Sequence, residues 1–326
     1  MSSGSRVAVT HVARDAQLAL FAGASFAVIA PAALVAFGVS LPWALAVGLA
    51  CAAVAAGSVA RPRLRRFLVD REPFPEAWRT MLERRVSFYG RLDTEDRARF
   101  ERELRYFVRE HVITGPQGEP VDDEALVLTG ASAAILAFGR PGYRWPRVRD
   151  VIVYPDAFDE DYEVSARGRI LGQVGRQGPI ILSAKALREG FQRSADGLNV
   201  GLHELAHVLD LEDGHADGVP SLMPWSAIQP WVGVMQEEVS RARKRKSLLR
   251  RYAGTNEAEL FAVATEAFFE RPQALERRHP ELYELMCITY GQDPAEMGPA
   301  TRSRPSRSER NERKRRRRER REKHGS

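Results

Sequence analysis

Three hydrophobic patterns follow one another along the chain, and each demands different surroundings. From residue 16 to residue 60 no charged side chain interrupts a run dominated by Ala, Leu, Val, Phe and Gly. Neither half of the run has a polar face, so it does not read as a helical pair buried in a water-soluble core. A bilayer crossing takes about 20 apolar residues, and Gly38-Val39-Ser40-Leu41-Pro42 offers a turn midway. The pattern predicts two spans, near Ala16 to Phe37 and Leu41 to Ala60, forming a transmembrane helical hairpin.

From Pro73 the spacing becomes amphipathic. Trp78, Leu82, Val86 and Tyr89 recur at helical intervals, as do Phe100, Leu104, Phe107 and Val108 after Thr94. These segments predict a packed helical pair, and Val121 to Phe138 predicts a third helix that Gly139 and Pro141 stop. The period then shortens: Val148 to Tyr154, Val164 to Val174 and Pro179 to Ser183 read as strands. Helices resume at Ser183, Asn199, Gln229, Glu257 and Pro280. Short strands leading into helices predict an α+β domain, not alternating βαβ units.

Charge changes this picture at the two ends. The net charge of +6 is misleading, because residues 301–326 alone carry 13 Lys or Arg against 4 Glu, leaving −3 for the rest. That tail has no apolar residue, cannot bury a core and is expected to be disordered. It offers an anionic lipid surface or a nucleic acid its charge, but no aromatic ring on which bases could stack. Arg6 and Arg14 precede the hairpin; Arg61, Arg63, Arg65 and Arg66 follow it. Because cationic flanks stay on the cytoplasmic side, both ends are expected there, with the chain held in the inner membrane. The two cysteines, Cys51 and Cys287, exclude a disulfide framework, and without a Cys-x-x-Cys pair any metal must be held by His and carboxylate ligands.

The chemistry concentrates in His203-Glu204-Leu205-Ala206-His207. Residues four apart share one helix face, so both imidazoles can reach one Zn²⁺ while Glu204 stands beside it as general base. This H-E-x-x-H pattern is that of a zinc peptidase. A catalytic site needs a third protein ligand, and two solutions are open. Asp213 lies ten residues after the first His, but the intervening turn position is Asp210, not Gly. Alternatively, the apolar run Glu257 to Arg271 carries Glu259, Glu266 and Glu270 as one acidic stripe. An acid among Phe261, Val263, Phe268 and Phe269 requires a cation or a hydrogen bond. Asp210 is placed to support a ligating imidazole, Tyr252 to donate to developing oxyanion charge, and the strand Pro179 to Ser183 to pair with an extended peptide.

The stretch Asn199 to Pro220, N-V-G-L-H-E-L-A-H-V-L-D-L-E-D-G-H-A-D-G-V-P, resembles the active-site segment of the Mlc titration factor A family of bacterial zinc peptidases. Val151 to Pro155, Gly178 to Ser183 and Ala258 to Phe269 match further motifs in the same order, so the likeness covers roughly Pro73 to Pro294. The resemblance implies a zincin-like fold related to the lethal-factor catalytic domain, with Zn²⁺ on His203, His207 and Glu266, Glu204 as general base, and aminopeptidase-like activity on peptide substrates. It also implies a transcriptional regulator as partner, since the best-known member binds the repressor Mlc. The hairpin and the basic tail depart from that soluble member. The chain thus divides into an N-terminal segment (1–15), the hairpin (16–60), a basic juxtamembrane linker (61–72), the zinc peptidase domain (73–298) and the tail (299–326). Its expected function is that of a membrane-tethered zinc peptidase; the competing reading is a protein that sequesters a regulator.

Overall fold

A computed structural model describes residues 38–155, 179–193, 196–244 and 247–297. Helix α1 (Leu41–Arg71) opens with the apolar window Leu41–Ser58, of mean hydropathy 1.7 and only 11 % buried. It is the one described helix long and apolar enough to cross a membrane. The first predicted span and the basic tail lie outside the described residues. Residues 61–71, expected as linker, are instead the last turns of α1. They stay helical because they dock on α3 (Thr94–Glu110). Arg66 forms a fork with Glu110 at 2.6 and 2.8 Å, and Arg105 reaches the Val69 and Glu72 carbonyls at 2.9 and 2.5 Å, satisfying acceptors at the helix end.

Helix α2 (Glu76–Arg85) and α3 pack on α4 (Asp123–Ala137), whose inner residues are nearly all buried. Small side chains along α4 let neighbours come close: a Cβ on Gly130 would meet Val108 Cγ2 at 2.9 Å and Leu104 Cγ at 3.0 Å. The sheet has three described strands in the order β1 (Val112–Thr114), β2 (Asp150–Tyr154), β3 (Ile180–Ser183). Both pairings are parallel, with Val112 opposite Asp150 and Val151 opposite Ile180. Since α4 connects β1 to β2, the described sheet contains one βαβ crossover, which the sequence pattern did not reveal. The cause is β1, a three-residue strand too short to register as a period. The predicted strand Val164 to Val174 lies outside the described residues.

After β3 come α5 (Ala184–Gln192), α6 (Val200–Asp210), α7 (Trp225–Arg243), α8 (Glu257–Glu270), α9 (Pro272–Arg278) and α10 (Pro280–Tyr290). α6 is buried along its whole length between α4 and α8. α8 is buried from Ala258 to Phe269, which explains its near-uniform apolar composition. Phe261, Phe268 and Phe269 pack against Tyr290 of α10 with ring centroids 5.1–6.3 Å apart, fixing the depth of α8.

The approach of α6 to α4 turns on one glycine. A Cβ at Gly201 would overlap Ser132 Oγ and stand 2.8 Å from Leu187 Cδ1. Gly201→Ala is therefore expected to lower stability by about 1–3 kcal/mol through overpacking. Denaturant titration of the mutant against wild type checks this, and an unchanged midpoint would mean that α4 and α6 do not meet here.

Candidate metal centre

Two capped helix starts bring the site together. The Asn199 side chain accepts the Leu202 N–H at 3.2 Å and starts α6; the Asn256 side chain accepts the Glu259 N–H at 2.9 Å and starts α8. His203 and His207 then follow on one face of α6, while Glu259 occupies the first turn of α8, where the helix dipole favours negative charge. The two Nε2 atoms face each other at 3.2 Å, and Glu259 Oε2 lies 3.3 Å from that of His203 and 3.5 Å from that of His207. All three residues are buried. Among the described residues this is the one group of three or more His, Cys, Asp or Glu able to hold a metal ion.

Glu266, which the resemblance put on the metal, stands elsewhere. It is fully buried, and its Oε2 faces His203 Nδ1 at 3.2 Å, on the ring edge away from the three converging atoms. Its Oε1 accepts the Asn199 N–H at 2.7 Å, and Arg250 forms a salt bridge with Oε2. Seven residues advance about 10 Å along a helix, so α8 passes His203 with Glu259 at one edge of the ring and Glu266 at the other. The acidic stripe read from the sequence exists; the crossing of α8 over α6 decides which rung meets which nitrogen. Asp213 sits in an exposed turn, where Oδ1 accepts the His215 N–H at 2.9 Å, and it is not in the cluster. Asp210 is fully buried behind the cluster; burial drives its carboxyl up to about 7, against the Gly218 N–H and His207.

Electrostatics follow from the dry setting. Burial lifts the Glu204 carboxyl to about 8, with the negative Glu259 and Glu266 adding to the rise and His203 opposing it. Burial lowers His203, but Glu266 and Glu259 outweigh it and raise that imidazole to about 10. Burial also works against ionised Glu259, yet the two imidazoles prevail and hold its carboxyl well below the usual range. Tyr252 lies half-buried on the 3-10 turn Arg251–Gly254, its ring centroid 6.1 Å from that of His203. Its hydroxyl is raised by burial and by its hydrogen bond and proximity to Glu259 and the nearby Glu204, so it remains a proton donor beside the cluster. Sequence reasoning did not single out Arg250, and placed Glu259 in the acidic stripe without assigning it to the metal. The Asn-x-x-Glu cap signature at Asn256 was the available signal for the latter.

Residues 60–291 match the family model described as glucose-regulated metallo-peptidase M90. An uncharacterized protein of Synechocystis is 30 % identical over 236 residues, covering 68 % of this chain and 86 % of that protein. Proteins named Mlc titration factor A are similar too. That of Escherichia fergusonii is 33 % identical over 224 residues (62 % of this chain, 82 % of the relative), and that of Cronobacter sakazakii 30 % over 241 (68 % and 87 %).

The third rung of the stripe, Glu270, ties down the approach to α6. Its Oε2 accepts the Gly197 and Leu198 N–H groups at 2.9 and 3.0 Å. Burial, then the neighbouring Glu266, push its carboxyl up to about 8. The folded state therefore keeps a proton that the unfolded state loses near the ordinary carboxylate pKa. Stability contributed by this group is full below about 4.5 and declines as pH rises towards about 8. Glu270→Gln, which keeps an acceptor and cannot ionise, is expected to flatten the stability profile across that window. Chemical denaturation at several pH values measures it, and a mutant profile parallel to wild type would remove Glu270 as the cause.

Proposed function

Because the chain belongs to the glucose-regulated metallo-peptidase M90 family, we propose that it is a zinc-dependent peptidase of aminopeptidase-like type, tethered to the inner membrane by its N-terminal apolar segment with the catalytic domain in the cytoplasm. The observation that carries the metal assignment is the spacing of three converging atoms. A tetrahedral ion with ligands at 2.0–2.1 Å separates them by about 3.4 Å, and the distances here are 3.2, 3.3 and 3.5 Å. Two imidazole nitrogens and a carboxylate oxygen are also the donor set that zinc accepts in catalytic sites. His203, His207 and Glu259 would hold the ion, and Glu266 would fix His203 as the tautomer that donates from Nδ1, leaving the Nε2 lone pair free.

When bound, zinc supplies a Lewis acid that polarises the scissile carbonyl and lowers the pKa of water towards neutrality. Glu204, buried beside His203, would take the proton of the attacking water and pass it to the leaving amine. The Tyr252 hydroxyl donates to the oxygen on which charge develops. The substrate is a peptide or protein segment, with β3 at the edge of the described sheet available to pair with an extended backbone. The name Mlc titration factor A supports a second reading, in which the same domain captures a transcriptional regulator and hydrolysis is secondary. The intact Glu204 favours the first, since a purely structural site needs ligands but no base.

Metal analysis and peptide turnover on three variants test the assignment. Glu204→Gln is expected to retain about one zinc and lose at least 100-fold in kcat. Glu259→Ala should lose the metal, whereas Glu266→Ala should keep the site and weaken affinity by about 10–100-fold. The reverse pattern for the last two would return the third ligand to Glu266, and unchanged turnover in Glu204→Gln would end the peptidase assignment.

A further inference from the structure

The docking of α1 fixes which face of the domain looks towards the apolar window. α1 and α3 run antiparallel where they meet: Arg66 pairs with Glu110, while Glu72, farther along, pairs with Arg109 at 2.7 Å and accepts from Arg105. The C-terminal end of α3 is thus the end nearer the window Leu41–Ser58. β1 begins just after it at the exposed Val112, whose N–H donates to the Arg149 carbonyl at 3.3 Å. Because β2 lies parallel to β1, its first residues and the loop before it share that end. The loop is itself held to α1, since Arg66 donates to the Gly142 and Tyr143 carbonyls at 3.1 and 3.3 Å.

That loop, residues 140–149, reads R-P-G-Y-R-W-P-R-V-R. Trp145 and Val148 are buried as its anchors, and Arg144, Arg147 and Arg149 are exposed, as are Arg61, Arg63 and Arg65 on α1. Against these six cations the same end carries, among the described residues, exposed Asp150, and Glu212 and exposed Asp213 beside Arg147; Glu110 is engaged by Arg66, and Glu103 accepts the Gly142 N–H at 3.0 Å. Eight residues separate Ser58 from Arg66, about 12 Å of helix. The headgroup layer adds about 5–8 Å to each side of the hydrocarbon, and the field of an anionic leaflet extends about 8–10 Å farther. Arg61, Arg63 and Arg65 fall within that depth, and Arg66 holds the loop beside them at Gly142 and Tyr143.

We propose that the loop 140–149, together with Arg61, Arg63 and Arg65, forms a surface for the headgroups of anionic phospholipids, resting the catalytic domain on the bilayer. This rests on the reading that α1 crosses the membrane. The surface also adjoins the metal helix, because the Tyr143 hydroxyl donates to Glu212 at 2.8 Å and Arg147 to the Glu212 carbonyl at 3.0 Å, two residues past the end of α6.

The test uses the full chain reconstituted in vesicles of phosphatidylcholine alone or with roughly one-third phosphatidylglycerol. Hydrogen–deuterium exchange of residues 142–149 is expected to slow several-fold in the anionic vesicles, and high salt should abolish the slowing. R144E/R149E should lose the difference, and the milder R144Q/R149Q most of it. Equal exchange in both vesicle types would overturn the proposal. So would equal slowing by inorganic phosphate on detergent-solubilised protein, which would indicate a site for free anions. Extraction of the wild type by alkaline carbonate reports on the tether separately: release would sink the membrane reading and this surface with it, while retention with unchanged exchange sinks the surface alone.

Discussion

Between α6 and α8, Glu259 faces two imidazole nitrogens at 3.3 and 3.5 Å, with all three side chains buried. Ionisable groups buried in this way cost several kcal/mol unless they are paired or bind a cation. The surroundings answer that requirement. Outside the acidic stripe both helices are largely apolar, and they are packed from behind by α4 and α10. Their first turns are set by Asn199 and Asn256, which fix the start of each helix and so the heights at which His203 and Glu259 meet.

The three acids of α8 divide the work by position. Glu259, in the first turn, meets the imidazole edges that point towards the site. Glu266, two turns on, takes the opposite edge of His203 and also holds the Asn199 N–H, so one carboxylate positions both the ring and the start of the helix carrying it. Arg250, joined to Glu266, comes from the segment just before Tyr252, which ties the placement of the hydroxyl donor to that of the imidazole. Glu270 secures residues 197 and 198, where the chain enters α6. A single helix face thus orients most of the constellation.

Much of this was legible beforehand, for identifiable reasons. The pair His203 and His207 with Glu204 between them is a local pattern, and helix geometry alone puts both imidazoles on one face. The stripe Glu259, Glu266, Glu270 was legible on the same grounds, as was the burial of its helix. The partner of each rung was not, because it depends on how two helices cross, a relation that no spacing within either helix encodes. β1 escaped notice because Val112–Thr114 is too short to display alternation, and with it went the parallel order of the sheet. Residues 61–71 looked like a linker because arginines interrupt the apolar run. They are helical because Arg66 finds Glu110 and Arg105 finds the helix-end carbonyls, partners 33–44 residues away.

The family match begins at residue 60, two residues beyond the apolar window. By sequence this is a boundary between an appended segment and a shared domain; in the structure α1 runs through it without a break. A flexible linker would let the domain sample many orientations, and a membrane-bound partner would have to select among them. A continuous helix fastened by the Arg66 fork and the Arg105 bonds removes that freedom in advance. If α1 crosses a bilayer, it also holds the metal cluster at a set height and attitude above the lipid, because α3, α4 and α6 connect the docked helix to His203 through successive packed contacts.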